Sequence, residues 1–233
     1  MSFKTGTLIL VDYTAKIKDT DNVIDTTFEE IAKKHSVHEE QKLYGPKLVA
    51  VGESWVLGGL DKALAETSVG DKKTIEVLPK DGFGERDPKK VRMIPLRKLG
   101  EDAEKVSIGD TVEIDNKVGT IRFIGSGRVS VDYNHRHAGK TILYEIDVKQ
   151  QLDNDKEKIT ELLKKHTGET GASVTFELEG SDVKIAIPES IFQMEGLGII
   201  KRFIQMDIFK FTSITKVTYT ETFTKSEEPT KKL

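Results

Sequence analysis

The chain has 233 residues, no cysteine, 32% charged side chains and 36% hydrophobic ones. That length allows one or two ordinary domains, but the modest apolar content argues against a single large core and for two or three small modules, each with much surface. The lack of cysteine excludes disulfides, thiol catalysis, iron–sulfur clusters and cysteine-ligated zinc, and 36 basic against 39 acidic residues leave a net charge of −3, no global field for nucleic acid or an anionic membrane.

From Thr7 to Lys18 the odd positions Ile9, Val11, Tyr13, Ala15 and Ile17 are apolar, while the even positions turn polar from Asp12 onward. That period of two predicts a half-buried strand. Val23–Thr27 reads as extended. Phe28–Glu40, with Phe28, Ile31 and Ala32 at helical spacing, predicts a short amphipathic helix in an excursion that Gly45–Pro46 ends. Lys47–Val51 and Gly52 lead to Gly59–Glu66, where Leu60, Ala63 and Leu64 form one face of a short helix. Ile75 and Val77 alternate with Thr74 and Glu76 in another strand, and Pro79–Pro88 is loop.

From Lys89 to Asp132 only strand-like pieces occur: Val91–Leu96, Thr111–Ile114, Val118–Ile124 and Arg128–Asp132, with turns at Asp115–Asn116 and Gly125–Gly127. At Thr141–Lys149 the opening pattern returns, with Ile142, Tyr144, Ile146 and Val148 on one face. The expected organisation is a first domain of residues 1–86 plus 134–152, an inserted all-β domain of residues 87–133, and a C-terminal α+β domain of residues 153–233. In that last part Asn154 and Glu157 fit a capping box, Ile159, Leu162 and Leu163 make a helical stripe, and Gly168 ends it. A hairpin follows, with Val174, Phe176 and Leu178 on one strand and Val183, Ile185 and Ile187 on the next, turning at Gly180–Ser181. One or two helices within Ser190–Phe211 and a last strand with Val217, Tyr219 and Phe223 on one face complete the domain. Thr224–Leu233 reads as a frayed polar tail.

No secretory or membrane signal is read. The aliphatic run Leu8–Val11 is only strand-length, and Gly196–Phe211 is broken by Lys201, Arg202, Gln205, Asp207 and Lys210, far short of the roughly 20 apolar residues of a spanning helix. The expected location is the cytoplasm.

A series of motifs resembles FKBP-type peptidyl-prolyl cis-trans isomerases, specifically the SlyD-like branch with an insert-in-flap domain and its long archaeal members with an added C-terminal domain. Leu10-Val11-Asp12-Tyr13 resembles the family's first pocket strand, and Val23-Ile24-Asp25-Thr26-Thr27 its apolar-Asp-Ser/Thr strand. The run from Gly52 to Leu64 resembles the glycine-led turn and central helix, and Asp81-Gly82-Phe83-Gly84 the D-A-Y-G-like loop. Asn134-His135-Arg136-His137-Ala138-Gly139-Lys140 resembles the N-H-P-L-A-G-K signature after the insert. Each motif alone is weak, but the ordered set over residues 7–149 is specific. It implies an α+β fold in which an antiparallel sheet wraps on a short helix, carrying an inserted all-β domain and a C-terminal α+β domain.

The resemblance also implies the chemistry. Rotation about an X–Pro bond has a barrier of about 18–20 kcal/mol from amide resonance, and no nucleophile or cofactor is needed to lower it. An apolar, water-poor pocket favours the twisted, less dipolar amide. The implied catalytic set is Tyr13, Asp25, Phe83 and Tyr144, with Ile24, Val56, Leu57, Leu60 and His135 as further substrate contacts. Departures from the pattern are Leu60 where human-type members have tryptophan, which implies weaker macrolide binding, and Phe83 where a tyrosine hydroxyl would stand. Arg136-His137 replaces Pro-Leu, Phe28–Tyr44 is a longer bulge than usual, and the histidine-rich tail behind nickel chaperoning is missing. In the insert, Met93, Ile94 and Leu96 serve either its own core or a groove for unfolded chains.

The expected function is therefore a folding helper for unfolded or proline-containing polypeptides, without cofactor, metal, nucleic acid or membrane, against the alternative of a non-catalytic holdase on the same scaffold. The C-terminal domain is expected to supply a homodimer contact or another client contact. Trp55, the single tryptophan, either stacks on substrate or covers the helix start. His35 and His38 read as solvated, and His135 and His137 face opposite ways if extended.

Overall fold

The computed structural model describes residues 2–40, 42–168, 174–192 and 194–223. In chain order the elements are β1 (Leu8–Ile17), β2 (Val23–Thr26), α1 (Glu29–Lys34), β3 (Lys47–Ala50), α2 (Gly58–Ala65) and β4 (Lys72–Val77). Next come β5 (Val91–Pro95), β6 (Thr111–Ile114), β7 (Lys117–Gly125), β8 (Arg128–Asp132) and β9 (Ile142–Gln151). The chain continues with α3 (Asp155–Thr167), β10 (Thr175–Glu179), β11 (Asp182–Ile187), α4 (Leu197–Phe211) and β12 (Lys216–Glu221). The polar tail Thr224–Leu233, expected to fray, lies outside the described residues.

The fold is α+β, as expected. β2, β1, β9 and β4 pair in that order, all antiparallel, with β3 also on β1. The sheet wraps on α2, whose Leu60 and Leu64 meet Ile9, Val11, Tyr13, Tyr144 and Val148 in one apolar cluster. Gly59 makes the close approach possible: a Cβ there would lie 2.8 Å from the Val77 side chain. Strands β5, β8, β7 and β6 form a separate antiparallel sheet between β4 and β9, an inserted small all-β domain. Its core is small, Ile114, Val129 and Val131 with Ile94, Leu96 and Leu99 packed against them. Asp115, Asn116 and Ser126 take the positive φ their hairpin turns demand.

In the C-terminal domain the Asn154 side chain accepts from the Glu157 N–H at 2.9 Å, capping α3. β11 pairs antiparallel with β10 but parallel with β12, so α4 is the crossover between two parallel strands, a pairing that alternation alone could not reveal.

Three sequence expectations change. β1 is buried on both faces, not one: Leu8 joins Leu48 and Ala50 of the sheet with Ile159, Leu162 and Leu163 of α3 and Ile204 and Ile208 of α4. The C-terminal domain thus covers the back of the sheet. The excursion after β2 is helical only over Glu29–Lys34 and stops at His35: Ser36 turns left-handed at φ 56, and the Val37 N–H closes the end by donating to the Ala32 carbonyl at 3.0 Å. β12 ends at Glu221, so Phe223 leaves the strand face and meets the Phe192 ring at 4.8 Å.

The neck of the insert is polar. Asp132, only 3% exposed, accepts from Arg86 at 2.6 Å and from the Asn134 backbone and side-chain nitrogens at 3.0 and 2.7 Å. Asn134 in turn bonds both backbone groups of Asp87 at 2.9 Å. Burial opposes ionisation of Asp132, but the Asn134 donors, Arg86 and Arg122 outweigh it and hold the carboxyl below the usual carboxylate range. Its stabilisation is therefore full above about pH 4 and lost as pH falls through the depressed folded value. Asp132→Ala frees the guanidinium groups and strands two amide donors. The arginines are about half exposed and regain water, so the expected cost is that of the stranded amide donors, about 1–3 kcal/mol, seen as faster hydrogen exchange in β5–β8 while β1 and β9 amides keep their protection.

Candidate active site

Strand register builds the site. Ala15 of β1 is opposite Asp25 of β2 on one side and Tyr144 of β9 on the other, and Tyr144 is opposite Ile75 of β4. Asp25, Ala15, Tyr144 and Ile75 therefore share one row and one face. Tyr13, two residues before Ala15, points the same way. Ala15 is the small member of the row, and its size leaves the gap over which Asp25 and the tyrosines converge. Buried hydroxyls lock the register: Thr27 Oγ1 donates to Asp12 at 2.8 Å and accepts from the Tyr13 N–H at 3.0 Å, and the Thr14 and Thr26 hydroxyls pair at 3.0 Å.

The Tyr13 hydroxyl donates to Asp25 Oδ2 at 2.5 Å, and the Tyr13 and Tyr144 rings meet edge to face at 5.6 Å. Burial and the negative charge of Asp25 push the Tyr13 hydroxyl far above its ordinary pKa. The same two causes push Tyr144 up to about 12. Both are protonated donors at neutral pH. Leu60, 2% exposed, is the floor, with Ile24, Val56, Leu57 and Phe83 packed half-buried around it. A cleft of about 430 Å³ lined by Leu10, Gln150, Leu152, Asn154 and Glu157 shares no residue with this group.

Two lysines at the site escaped the sequence reading. Lys42, from the long bulge, is ion-paired with Asp25 Oδ1 and donates to the Thr26 carbonyl at 3.0 Å; Lys47 Nζ lies 5.8 Å from the Tyr13 ring centroid. Asp25 is thus engaged on both oxygens, which suits a positioning carboxylate and not a base. The length of the bulge was legible; no spacing rule said which residue would turn inward.

Phe83 lies against the signature turn. Its ring stacks on His135 at 4.5 Å and 9°, and His137 is 5.3 Å away. Ala138 donates to the His135 carbonyl at 2.8 Å, so this segment is a turn, not extended, and both imidazoles face Phe83 with centroids 5.6 Å apart. His38 also differs from its solvated reading: it stacks on Tyr44 at 5.2 Å, and its Nε2 is 3.3 Å from Glu29, while His35 is exposed. Among the described residues no His/Asp/Glu cluster is shaped to hold a metal ion. The Trp55 ring lies against the C-terminal domain, edge-on to Phe211 at 5.3 Å. In the insert, Ile94 and Leu96 are half-buried in its core, whereas Met93 (52% exposed) is opposite Ser130, which is opposite Phe123 (53% exposed). Met93 and Phe123 thus share the outer face. The β-bulge between Ile121 and Phe123 turns Phe123 outward, which a period-two reading cannot see.

The group combines apolar walls, two tyrosines held protonated and a carboxylate engaged on both oxygens. Three family models match in succession: FKBP-type peptidyl-prolyl cis-trans isomerase over residues 1–99, FKBP26, IF domain over 92–137, and FKBP26_C-terminal over 155–224. The chain has the domain architecture of an FKBP-type peptidyl-prolyl isomerase with inserted and C-terminal domains. It is 28% identical over 146 residues to a short-type peptidyl-prolyl cis-trans isomerase of Methanocaldococcus jannaschii, covering 63% of this chain and 92% of that protein. It is 29% identical over 152 residues to the FKBP-type 16 kDa peptidyl-prolyl cis-trans isomerase of Escherichia coli, covering 63% and 92%. With the FKBP-type peptidyl-prolyl cis-trans isomerase SlyD of Helicobacter pylori it shares 26% over 165 residues, covering 70% and 80%. The kinship to SlyD- and FKBP26-like proteins is thus at low identity.

His137 stands where the signature has an apolar residue. Burial, with Arg136 and His135 adding to it, lowers its pKa, and its Nε2 is buried without a partner among the described residues. The neutral ring is favoured on folding, so its share of stability is full above about pH 6.5 and lost as pH falls through the lowered folded value. His137→Leu is expected to raise stability by about 1–2 kcal/mol and to flatten the pH dependence of unfolding between about pH 5 and 7, measured by urea titration at each pH.

Proposed function

We propose that this chain is a peptidyl-prolyl cis-trans isomerase that also holds unfolded polypeptides, a SlyD-like protein of the long archaeal type working in the cytoplasm. The observation that carries the reading is the single row Asp25–Ala15–Tyr144 beside Tyr13, above the Leu60 floor. The proline ring occupies the apolar space over Leu60, between Tyr13, Val56, Phe83 and Tyr144. The dry surroundings penalise the planar, strongly dipolar amide more than the twisted one, which lowers the rotational barrier without covalent chemistry. The Leu57 N–H holds a substrate carbonyl. Phe83 has no hydroxyl to offer, and the Tyr144 hydroxyl, kept protonated, takes that donor role. Asp25, fixed by Tyr13 and Lys42, orients the Tyr13 hydroxyl.

The isomerase unit comprises residues 1–86 and 134–152, the capture domain 87–133 and the C-terminal domain 153–233. Pairing of β4 with β9 on either side of the insert supports the first division. Met93 and Phe123 form the capture face, backed by Ile94 and Leu96 in the insert's own core, and tethering a client there raises its effective concentration at the pocket. Ile199, Phe203 and Met206, exposed at helical spacing on α4, support self-association through the C-terminal domain.

Proline-limited refolding of a test protein measures the isomerase. Wild type is expected to accelerate it, Asp25→Ala to lose about tenfold, Tyr144→Phe about threefold, and Ala15→Leu, which fills the gap, nearly all. Deleting residues 87–133 is expected to abolish suppression of aggregation. No acceleration by wild type would overturn catalysis in favour of the holdase reading. Sedimentation equilibrium is expected to show a dimer that Phe203→Glu dissociates; a wild-type monomer at high micromolar concentration removes the dimer.

A further inference from the structure

The segment joining β3 to α2 has two sides with different partners. On the inner side Asp61 of α2 accepts from the Gly52 N–H at 2.8 Å and the Ser54 N–H at 2.9 Å, and the segment ends in Val56 and Leu57, which pack with the Tyr13 cluster. On the outer side the C-terminal domain grips Trp55. Phe211 of α4 meets the indole edge-on at 82°, and Lys165 Nζ of α3 sits 3.5 Å from an indole ring centroid. Glu53, two residues earlier, is ion-paired with Lys210 of α4.

Lys165 is itself aimed. Its ammonium donates to Asp207 Oδ2 at 2.8 Å, and His166 Nε2 lies 2.7 Å from the same oxygen. Burial opposes ionisation of Asp207, but these two partners outweigh it and keep the carboxyl below its ordinary range. An edge-to-face aromatic pair and a cation over an indole face are directional contacts, so together they fix ring orientation as well as distance. The backbone they act on gains from being held: Ser54 has φ 58, a left-handed conformation that a residue with a Cβ adopts at a cost. Asp61 enforces it from within and the C-terminal domain from without.

We propose that the C-terminal domain tunes the isomerase pocket, with Trp55 as a positioning residue whose clamp by Phe211 and Lys165 fixes the Val56–Leu57 backbone. The proposal rests on the isomerase reading above. Releasing the clamp loosens the Val56–Leu57 backbone and lets the Leu57 donor wander, and a displacement of about 1 Å in a positioned group is enough to slow a reaction up to about 100-fold.

The test uses the full chain and isomerisation of a short proline peptide, with kcat and KM determined separately. Lys165→Met keeps the aliphatic stem on α3, outside the pocket, and is expected to lower kcat about three- to tenfold with KM within about twofold. Trp55→Ala is expected to lose about tenfold or more. Trp55→Phe, which can keep the edge contact with Phe211, is expected to recover to within about threefold of wild type. As the single tryptophan, Trp55 also reports directly: its emission is expected to shift when the peptide binds, and the shift to vanish in Lys165→Met. Should Trp55→Ala not fold, Lys165→Met and Trp55→Phe decide the matter. An active wild type whose Lys165→Met variant matches it in kcat and in the emission shift overturns the coupling alone; an inactive wild type overturns the isomerase reading and this proposal with it.

Discussion

The antiparallel ladder between β1 and β9 pairs Ile17 with Ile142 and Ile9 with Gln151, so the first and last strands of the isomerase sheet are neighbours and the chain between them is a closed excursion. Closing so long a loop costs entropy that grows only slowly with its length, which is why a whole domain fits inside it. The same ladder puts Ala15 between Asp25 and Tyr144, and it gives β1 two covered faces. One face meets α2 and forms the pocket; the other meets α3 and α4. The pocket and the C-terminal domain are thus two sides of one strand.

The carboxylate of the site is engaged on both oxygens before any substrate arrives. Asp25 is engaged by Tyr13 on one oxygen and Lys42 on the other, and the tyrosines are held protonated by burial and by that carboxylate. Such a site moves no protons at neutral pH. On the function proposed, its tools are exclusion of water, shape and a few fixed donors, which is what rotation about a tertiary amide requires. Fixed donors demand a fixed backbone, and the strained Ser54 turn is where that demand is most visible.

Much of this was legible along the chain. Period-two alternation placed Tyr13 and Tyr144 on inward phases, the capping pair Asn154–Glu157 started α3 where expected, and turn chemistry at Asp115–Asn116 divided the insert correctly. The failures have local physical reasons. The alternation marks only one covered face of β1 because the partners of Leu8 on the other, Ile159 and Ile208, lie far along the chain. Phe123 was read within an ordinary strand because a bulge, which moves a side chain to the other face, leaves no mark on composition. His135 and His137 face opposite ways only on extended backbone, and the turn that the Ala138 N–H closes on the His135 carbonyl removes that condition.

What the sequence determined by itself is the set of elements, their order and the residue types available to a pocket, since alternation, capping and turn preferences act over a few residues. The scale of the cores followed too: a chain this charged and this poor in apolar residues spreads its core over three small clusters. Tertiary structure alone decided that Lys42 reaches Asp25, that Trp55 packs against the C-terminal domain, and that β12 runs parallel to β11. Each of these is a contact between positions whose separation no periodicity spans, fixed by which buried faces remain to be covered once the local elements have formed.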